Sequence, residues 1–352
     1  MRKMKEHPRE GWTPVLCLIE SADHPIDCVK TIFNEMDSLK LRSAGKVRWE
    51  KFKVNWNQLV ADASYGNWKL PQLQTDWKSL LFSLFEDAVG EMDTRLLVML
   101  DEFPQVVQKI KDKHGAETAI EFVDTLRELR QRWESSGKIR LILSGSIGFH
   151  LVLNQLRSGH GYKGKPTNDM KPISVYGMKE DETALMCMRY LEEEGISRNA
   201  GEFDAHMYEV TDGLPLYIQH VCGRFQESDP KPLEVRPADV DRELDEMMND
   251  PKIEWFRNTE DRIRDYYAPL GKDDQAYCIL DELSRRSGLV PEAEIIEYVN
   301  SQMDPGSDRA VIEVLDLLWR DHYLHRDVFP PGGRSYGFMY KLMRKWWRAN
   351  RG

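Results

Sequence analysis

The sequence predicts an α/β protein in which a core with a parallel sheet is followed by a helical region and a C-terminal winged helix. Three observations support this prediction. Two apolar runs are joined by one helical segment, the next part of the chain is helical throughout, and the last part reads as helices followed by a hairpin. We therefore expect three domains, with the bounds 1–176, 177–267 and 268–352.

The core begins with a short apolar run, TPVLCLIES at 13–21, which ends in polar residues and predicts a buried strand. Apolar residues at helical spacing then predict helices at 25–36, 43–64 and 76–90. In the third of these, Trp77, Leu81 and Leu84 share one face, and Gly90 is a stop signal.

A crossover unit follows. RLLVMLDEFP at 95–104 is a continuous apolar run, as is typical of a strand buried in a parallel sheet. The segment 118–137 predicts a helix closed by Gly137, and KIRLILSGSIG at 138–148 predicts a second buried strand. Because a strand, a helix and a strand with short loops form a right-handed crossover, we expect the two strands to be parallel.

The pattern from about 177 to 266 is helical, with breaks at DGLPLY (212–217) and at SDPKPLEVRP (228–237). Three further helical patterns start near 268. They precede an alternating segment around Pro330-Pro331-Gly332-Gly333, which is a hairpin signal, and a final helix. Three helices, a hairpin and a helix form the order of a winged helix, expected from about 268 to 348.

Composition excludes several classes of protein. The 352 residues carry a net charge of −10, which argues against a surface that binds nucleic acid as a whole. The five cysteines include no CxxC pair, so neither a disulfide framework nor a zinc ribbon is expected. The N-terminus has no apolar signal region, and no run is long enough to span a bilayer. We expect a cytoplasmic protein without a membrane partner.

The ends of the two crossover strands hold the candidate chemistry. Asp101 and Glu102 follow one strand, and Ser144 and Ser146 follow the other. Ligands of parallel α/β sheets bind at the carboxyl ends of strands. A carboxylate there can hold Mg²⁺, a second can orient water for attack on a γ-phosphate, and a small polar residue can sense that phosphate. The structural alternative is that these residues only end strands and begin turns.

GHGYKGKPT at 159–167 contains most of the phosphate-loop pattern G-x-x-x-x-G-K-[ST]. Pro166 replaces the Ser or Thr of that pattern, and no helical pattern begins at Lys165. A phosphate loop lies between a strand and a helix, because the helix N-terminus binds the phosphates. We therefore interpret this segment as a polar loop and not as a nucleotide site.

Four segments together resemble the archaeal and bacterial ATPases of the AAA+ superfamily that are called signal-transduction ATPases with numerous domains, a P-loop NTPase class. They are LLVMLDEFPQVV (96–107), LILSGSIGFHLVL (141–153), VTDGLPLYIQHV (210–221) and the tail from 317 to 347. The resemblance implies ATP and Mg²⁺ as ligands. It implies that Asp101, at the end of the Walker B strand, coordinates Mg²⁺ and that Glu102 positions the attacking water. It also implies a three-layer P-loop NTPase-like core and a helical lid subdomain at 177–267, with Gly213 and Pro215 placing this lid near the adenine.

This chain departs from that class because no phosphate loop (Walker A) precedes Asp101. The start, MRKMKEH, resembles the middle of the helix that follows such a loop. We expect the loop to be encoded just before Met1, and the 352 residues alone to be inactive. We also expect the first strand to leave a hydrophobic edge of the sheet uncovered.

Two functions from different classes follow. One is an ATP-driven switch with a protein partner. The other is a non-catalytic scaffold, or a DNA-associated winged-helix protein, with a relic NTPase core. The segment from Arg334 to Gly352 holds six basic residues and no acidic one, and could contact DNA phosphates. The alternative, which we favour, is that Trp346 and Trp347 pin this helix to its domain while the charges face water.

Overall fold

The computed structural model describes residues 1–38, 77–89, 95–250, 253–303, 307–330 and 332–351. These residues divide into two units, Met1–Lys171 and Pro172–Gly352, each with its own core. The predicted helix at 43–64 lies outside the described residues. The predicted domain limit at 176 lies close to the division between the units, and the predicted limit at 267 falls inside the second unit and stays a prediction.

The first unit alternates strands and helices, as the apolar pattern predicts. In chain order its elements are α1 (Arg2–Glu6), β1 (Trp12–Leu18), α2 (Pro25–Ser38), α3 (Trp77–Val89), β2 (Arg95–Asp101), α4 (Phe103–His114), α5 (Ala116–Arg132), β3 (Ile139–Leu143) and α6 (Phe149–His160). The helix α4 begins directly after Glu102 and was not predicted.

The three strands form one parallel sheet in the order β1-β2-β3. Leu18 of β1 lies opposite Asp101 of β2, and Leu100 of β2 lies opposite Leu143 of β3. This register brings the carboxyl ends of all three strands to one edge of the sheet. The prediction of a mixed α/β fold with a parallel sheet is confirmed.

The coverage of the sheet is uneven, and it corrects the expectation about the first strand. Val15, Leu16 and Cys17 of β1 are buried, although β1 is an edge strand. The residues of the opposite edge strand β3 from Leu141 to Leu143 are only half-buried. Within the described residues, the poorly covered side of the sheet is therefore β3, because α2 packs against β1.

The second unit is mainly helical. Its elements are α7 (Glu180–Glu192), β4 (Ser197–Arg198), α8 (Ala200–Thr211), α9 (Pro215–Glu227), β5 (Glu234–Val235), α10 (Pro237–Asn249), α11 (Trp255–Tyr267), α12 (Asp273–Arg285), β6 (Val290–Pro291), α13 (Glu292–Gln302), α14 (Asp308–Arg320), β7 (Leu324–Phe329), β8 (Gly333–Phe338) and α15 (Lys341–Arg351). No helix among the described residues has the length and the apolar character that crossing a membrane requires.

Both predicted breaks in the helical region are present, after Thr211 and after Glu227. From Asp273 onward, three helices, an antiparallel hairpin and a last helix follow one another, and β6 adds to the hairpin strand β8. This is the predicted order of elements. Pro331, at the predicted hairpin tip, lies outside the described residues. The names lid and winged helix stay predictions.

Candidate functional site

The candidate site lies at the carboxyl edge of the sheet in the first unit. Asp101 is the last residue of β2, and Glu102 joins β2 to α4. Ser144 and Ser146 follow β3, and the backbone N–H of Ser144 donates to the Leu100 carbonyl at 3.0 Å. The structure thus brings together the four polar residues that the strand ends predict.

The two serines pair with the two acids one to one. The Ser144 hydroxyl donates to Oδ1 of Asp101 at 2.6 Å. Oε2 of Glu102 accepts from the backbone N–H of Ser146 at 2.9 Å and from its hydroxyl at 3.2 Å. The serines predicted to bind nucleotide are therefore hydrogen-bond partners of the carboxylates in this structure.

Glu102 has an unusual backbone conformation. Its φ of 58° lies in the left-handed region, which costs a non-glycine residue about 1 to 2 kcal/mol. This conformation turns the chain sharply from β2 into α4, so that the Glu102 side chain points to the end of β3 and does not cap its own helix. A strained residue of this kind is typical of functional sites.

The turn from Ser144 to Ser146 packs tightly against the start of α4. The backbone N–H of Phe103 donates to the Ser144 carbonyl at 2.9 Å. A Cβ atom added at Gly145 would lie 2.5 Å from Cδ of Pro104, so only glycine fits at this position. The two strand ends are therefore fixed relative to each other before any ligand binds.

The start of the chain reaches the same edge. Sδ of Met1 lies 3.7 Å from the Ser144 hydroxyl, and α1 begins at the next residue.

The side chains of this edge suit a hard cation. Carboxylate and hydroxyl oxygens are ligands that Mg²⁺ accepts, and Mg²⁺ usually takes one or two carboxylates and completes its shell with waters and substrate phosphates. No group of three His, Cys, Asp or Glu side chains able to hold a metal occurs among the described residues. Asp101 and Ser144 offer a carboxylate and a hydroxyl of the kind that Mg²⁺ accepts when a substrate phosphate completes its shell.

GHGYKGKPT is not a phosphate loop in this structure. Gly159 and His160 form the last turn of α6, and Gly161 ends that helix in the left-handed conformation. The segment thus follows a helix C-terminus, where carbonyl groups and the negative end of the dipole repel a phosphate. Its position after a helix agrees with the interpretation that it is not a nucleotide site, and that interpretation stays a prediction.

Gly213 and Pro215 lie in the second unit, in the turn between α8 and α9. Gly213 has φ 66° and accepts a hydrogen bond from the Met178 backbone N–H at 2.7 Å, while Pro215 is the first residue of α9. Both residues shape a turn. Their role in nucleotide binding stays a prediction.

Five of the six basic residues of the last segment are engaged within the second unit. Nζ of Lys345 lies 2.6 Å from Asp245, and Nη1 of Arg351 lies 2.6 Å from Glu260. Lys341, Arg344 and Arg334 have partners in Glu209, the Arg286 carbonyl and Glu292. Trp346 and Trp347 are buried, as the structural interpretation of this helix requires.

Gln105 also belongs to this site and was not predicted from the sequence. Its Nε2 donates to the Ser146 hydroxyl, which places it next to both Ser146 and Glu102. An available signal was the apolar spacing of Val106, Val107 and Ile110, which predicts a helix starting just after Glu102 and puts Gln105 on its first turn.

Comparisons with known proteins identify no family. No protein-family model matches the chain, and no curated protein matches it. Among solved structures, the chain is similar to the Walker-type ATPase of Pyrococcus abyssi, with 14% identity over 99% of this chain and 94% of that chain and a TM-score of 0.49. This similarity is too weak to support a function, so the proposal below rests on the geometry of the site.

Proposed function

We propose that the carboxyl edge of the sheet binds Mg²⁺–ATP and that the protein is a nucleotide-driven switch of the signal-transduction ATPase class. The observation that carries the proposal is the one-to-one pairing of Asp101 with Ser144 and of Glu102 with Ser146. Two carboxylates are held side by side at a sheet edge where parallel α/β proteins bind their ligands.

In this proposal the two acids have different roles. Asp101, with Ser144, holds Mg²⁺, which would neutralise phosphate charge. Glu102 accepts a proton from water while the water oxygen bonds to the γ-phosphorus, the bond to the bridging oxygen breaks, and ADP leaves. Oε2 of Glu102 is occupied by Ser146, whereas Oε1 makes no hydrogen bond with the described residues, so Oε1 is the atom that takes the proton.

The phosphate-binding loop of this site is proposed to lie in residues encoded just before Met1. Two observations support it. Met1 contacts Ser144 at the site, and its helix α1 starts there. The flank of β3 is only half-buried, which leaves room for a further strand. We call the 352 residues preceded by such a strand and loop the extended chain.

A non-catalytic scaffold is the second candidate. The specific observation in its favour is that both carboxylates already have hydrogen-bond partners in the protein, as expected if they only fasten the two strand ends together.

Nucleotide binding and turnover in the extended chain distinguish the two candidates. We expect Glu102→Gln to retain Mg²⁺–ATP but to lower kcat by about 10² to 10⁴-fold, the usual contribution of a general base. We expect Asp101→Ala to weaken Mg²⁺-dependent binding, and Lys165→Ala, in the loop after α6, to change neither property. Isothermal titration and phosphate release measure these quantities.

Hydrolysis at the wild-type rate in Glu102→Gln would contradict the assigned role. An in-frame stop codon directly upstream of Met1, with no loop encoded nearby, would favour the scaffold. The 352 residues alone should bind ATP weakly. A large loss of ATP binding in Lys165→Ala would show that the loop after α6 contributes to nucleotide binding.

A further inference from the structure

Gln105 forms a chain of hydrogen bonds with Ser146 and Glu102. Gln105 is the third residue of α4, and its Nε2 donates to the Ser146 hydroxyl oxygen. The same hydroxyl donates to Oε2 of Glu102 at 3.2 Å, and the Ser146 backbone N–H donates to that oxygen at 2.9 Å. Gln105 thus reaches Glu102 through one intervening hydroxyl.

The direction of these bonds matters because a serine hydroxyl has a single proton. When the Gln105 amide donates to the hydroxyl oxygen, the hydroxyl proton is free to point at Glu102. With the amide oxygen in that place, the proton would be drawn to Gln105 and Glu102 would lose one of its two donors. The amide orientation of Gln105 therefore determines whether Ser146 holds Glu102 with one bond or with two.

Packing keeps the Gln105 side chain in this position. A Cβ atom added at Gly145 would lie 3.1 Å from Oε1 of Gln105, which shows how closely the turn after β3 covers the amide. Oε1 itself is buried and finds no hydrogen-bond partner among the described residues. A buried acceptor without a partner destabilises a fold.

We propose that Gln105 is a positioning residue that fixes the carboxylate of Glu102 by orienting the Ser146 hydroxyl. With Oε2 of Glu102 held by two donors, Oε1 keeps a defined direction toward the water. This proposal rests on the proposed function for the role of Glu102 in hydrolysis, but the hydrogen-bond chain itself is testable without any nucleotide.

The test compares two glutamines on the same helix. Gln105→Met removes the amide donor with little change of size or charge. Gln108→Met is the matched control, because Gln108 lies three residues further along α4 and its Nε2 bonds Asp112 instead. In the 352-residue chain we expect Gln105→Met to raise the hydrogen-exchange rate of the Ser146 backbone N–H by about 3- to 10-fold, the equivalent of one neutral hydrogen bond. Gln108→Met should leave that rate unchanged.

In the extended chain, the effect of each substitution on kcat is measured separately from its effect on KM for Mg²⁺–ATP. We expect Gln105→Met to lower kcat by about 10-fold while KM for Mg²⁺–ATP stays within about twofold, because Gln105 acts on the base and not on nucleotide binding. Ser146→Ala should lower kcat in the same way, and adding Gln105→Met to it should cause no further loss, since both changes break the same chain.

Several results would overturn the proposal. One is equal exchange at Ser146 in the two methionine variants. Another is a changed exchange rate with a wild-type kcat, which would reduce Gln105 to a structural contact. Additive losses in the double variant would also contradict a shared path. If the extended wild-type chain hydrolyses no ATP, the proposed function is refuted. The hydrogen-exchange rates would then still test whether Gln105 orients the Ser146 hydroxyl.

Discussion

At the scale of the residue, Asp321 has a carboxyl group that is kept from water at the end of α14. Burial raises its pKa to about 7, although the Tyr267 hydroxyl donates to Oδ2 at 2.7 Å and the nearby Arg262 and Arg320 favour the charged form. The folded protein therefore retains a proton on Asp321 between about pH 4 and pH 7, where an unfolded chain has already lost it.

The sign of the pH dependence follows from this raised pKa. Stability contributed by the neutral Asp321 is full below about pH 4 and is lost as the pH rises toward 7.

Asp321→Asn keeps the size of the side chain and remains neutral, so we expect it to raise the free energy of unfolding at pH 8 by about 1 to 3 kcal/mol. Urea unfolding at pH 5 and pH 8, followed by tryptophan fluorescence, measures the change, with the exposed Asp265→Asn as control. A variant with the same loss of stability from pH 5 to pH 8 as the wild type would contradict this assignment.

At the scale of the element, the turn between α8 and α9 is a crossing point of two backbone segments. A Cβ atom at Gly213 would lie 2.1 Å from the Met178 carbonyl oxygen, and one at Gly177 would lie 2.0 Å from the Asp212 carbonyl oxygen. Asp212 also caps another helix, because its Oδ2 accepts from the Lys341 backbone N–H at 2.6 Å, at the start of α15. The turn between α8 and α9 thus contacts both the segment 177–178 and the last helix of the second unit, α15.

Gly213→Ala tests this crossing. The variant combines a left-handed φ of 66° with a backbone clash, so we expect a loss of about 2 to 4 kcal/mol in the free energy of unfolding. Gly223→Ala is the matched control within α9. No atom lies within 4 Å of its new Cβ, and alanine should stabilise the helix by about 0.5 to 1 kcal/mol. Thermal unfolding of both variants measures these changes in stability. A Gly213→Ala protein as stable as the wild type would show that the backbone at Met178 and the turn at Gly213 move apart at little cost.

The start of α4 shows where sequence reasoning about elements fails. The apolar strands and the helical crossover that joins them were predictable from the spacing of apolar residues. Because such strands are parallel, it was also predictable that Asp101 and Ser144 lie at the same edge of the sheet. The pairing of each serine with one acid was not, because it depends on the left-handed Glu102 that starts α4 at once. Helix and strand propensities do not predict a left-handed backbone at Glu102, because glutamate rarely adopts that conformation.

At the scale of the whole molecule, charge argues against nucleic acid as a partner. The chain has a net charge of −10, and the basic side chains of α15 named above are engaged by acidic residues or by a carbonyl of the same unit. We expect no binding of a duplex DNA below about 100 μM at physiological salt, because non-specific binding needs free cations to displace counterions. Fluorescence anisotropy with a labelled duplex tests this, and micromolar affinity with a steep salt dependence would contradict it.

The strand order of the first unit also bears on how the protein is made. The strands lie side by side in the order in which the ribosome delivers them, β1, then β2, then β3. Among the described strands, each can therefore dock on a partner that has already been synthesised, and none has to be inserted between two that are already paired. These three strands can pair one after another during translation, and α5 is the element that must be complete before β3 can join.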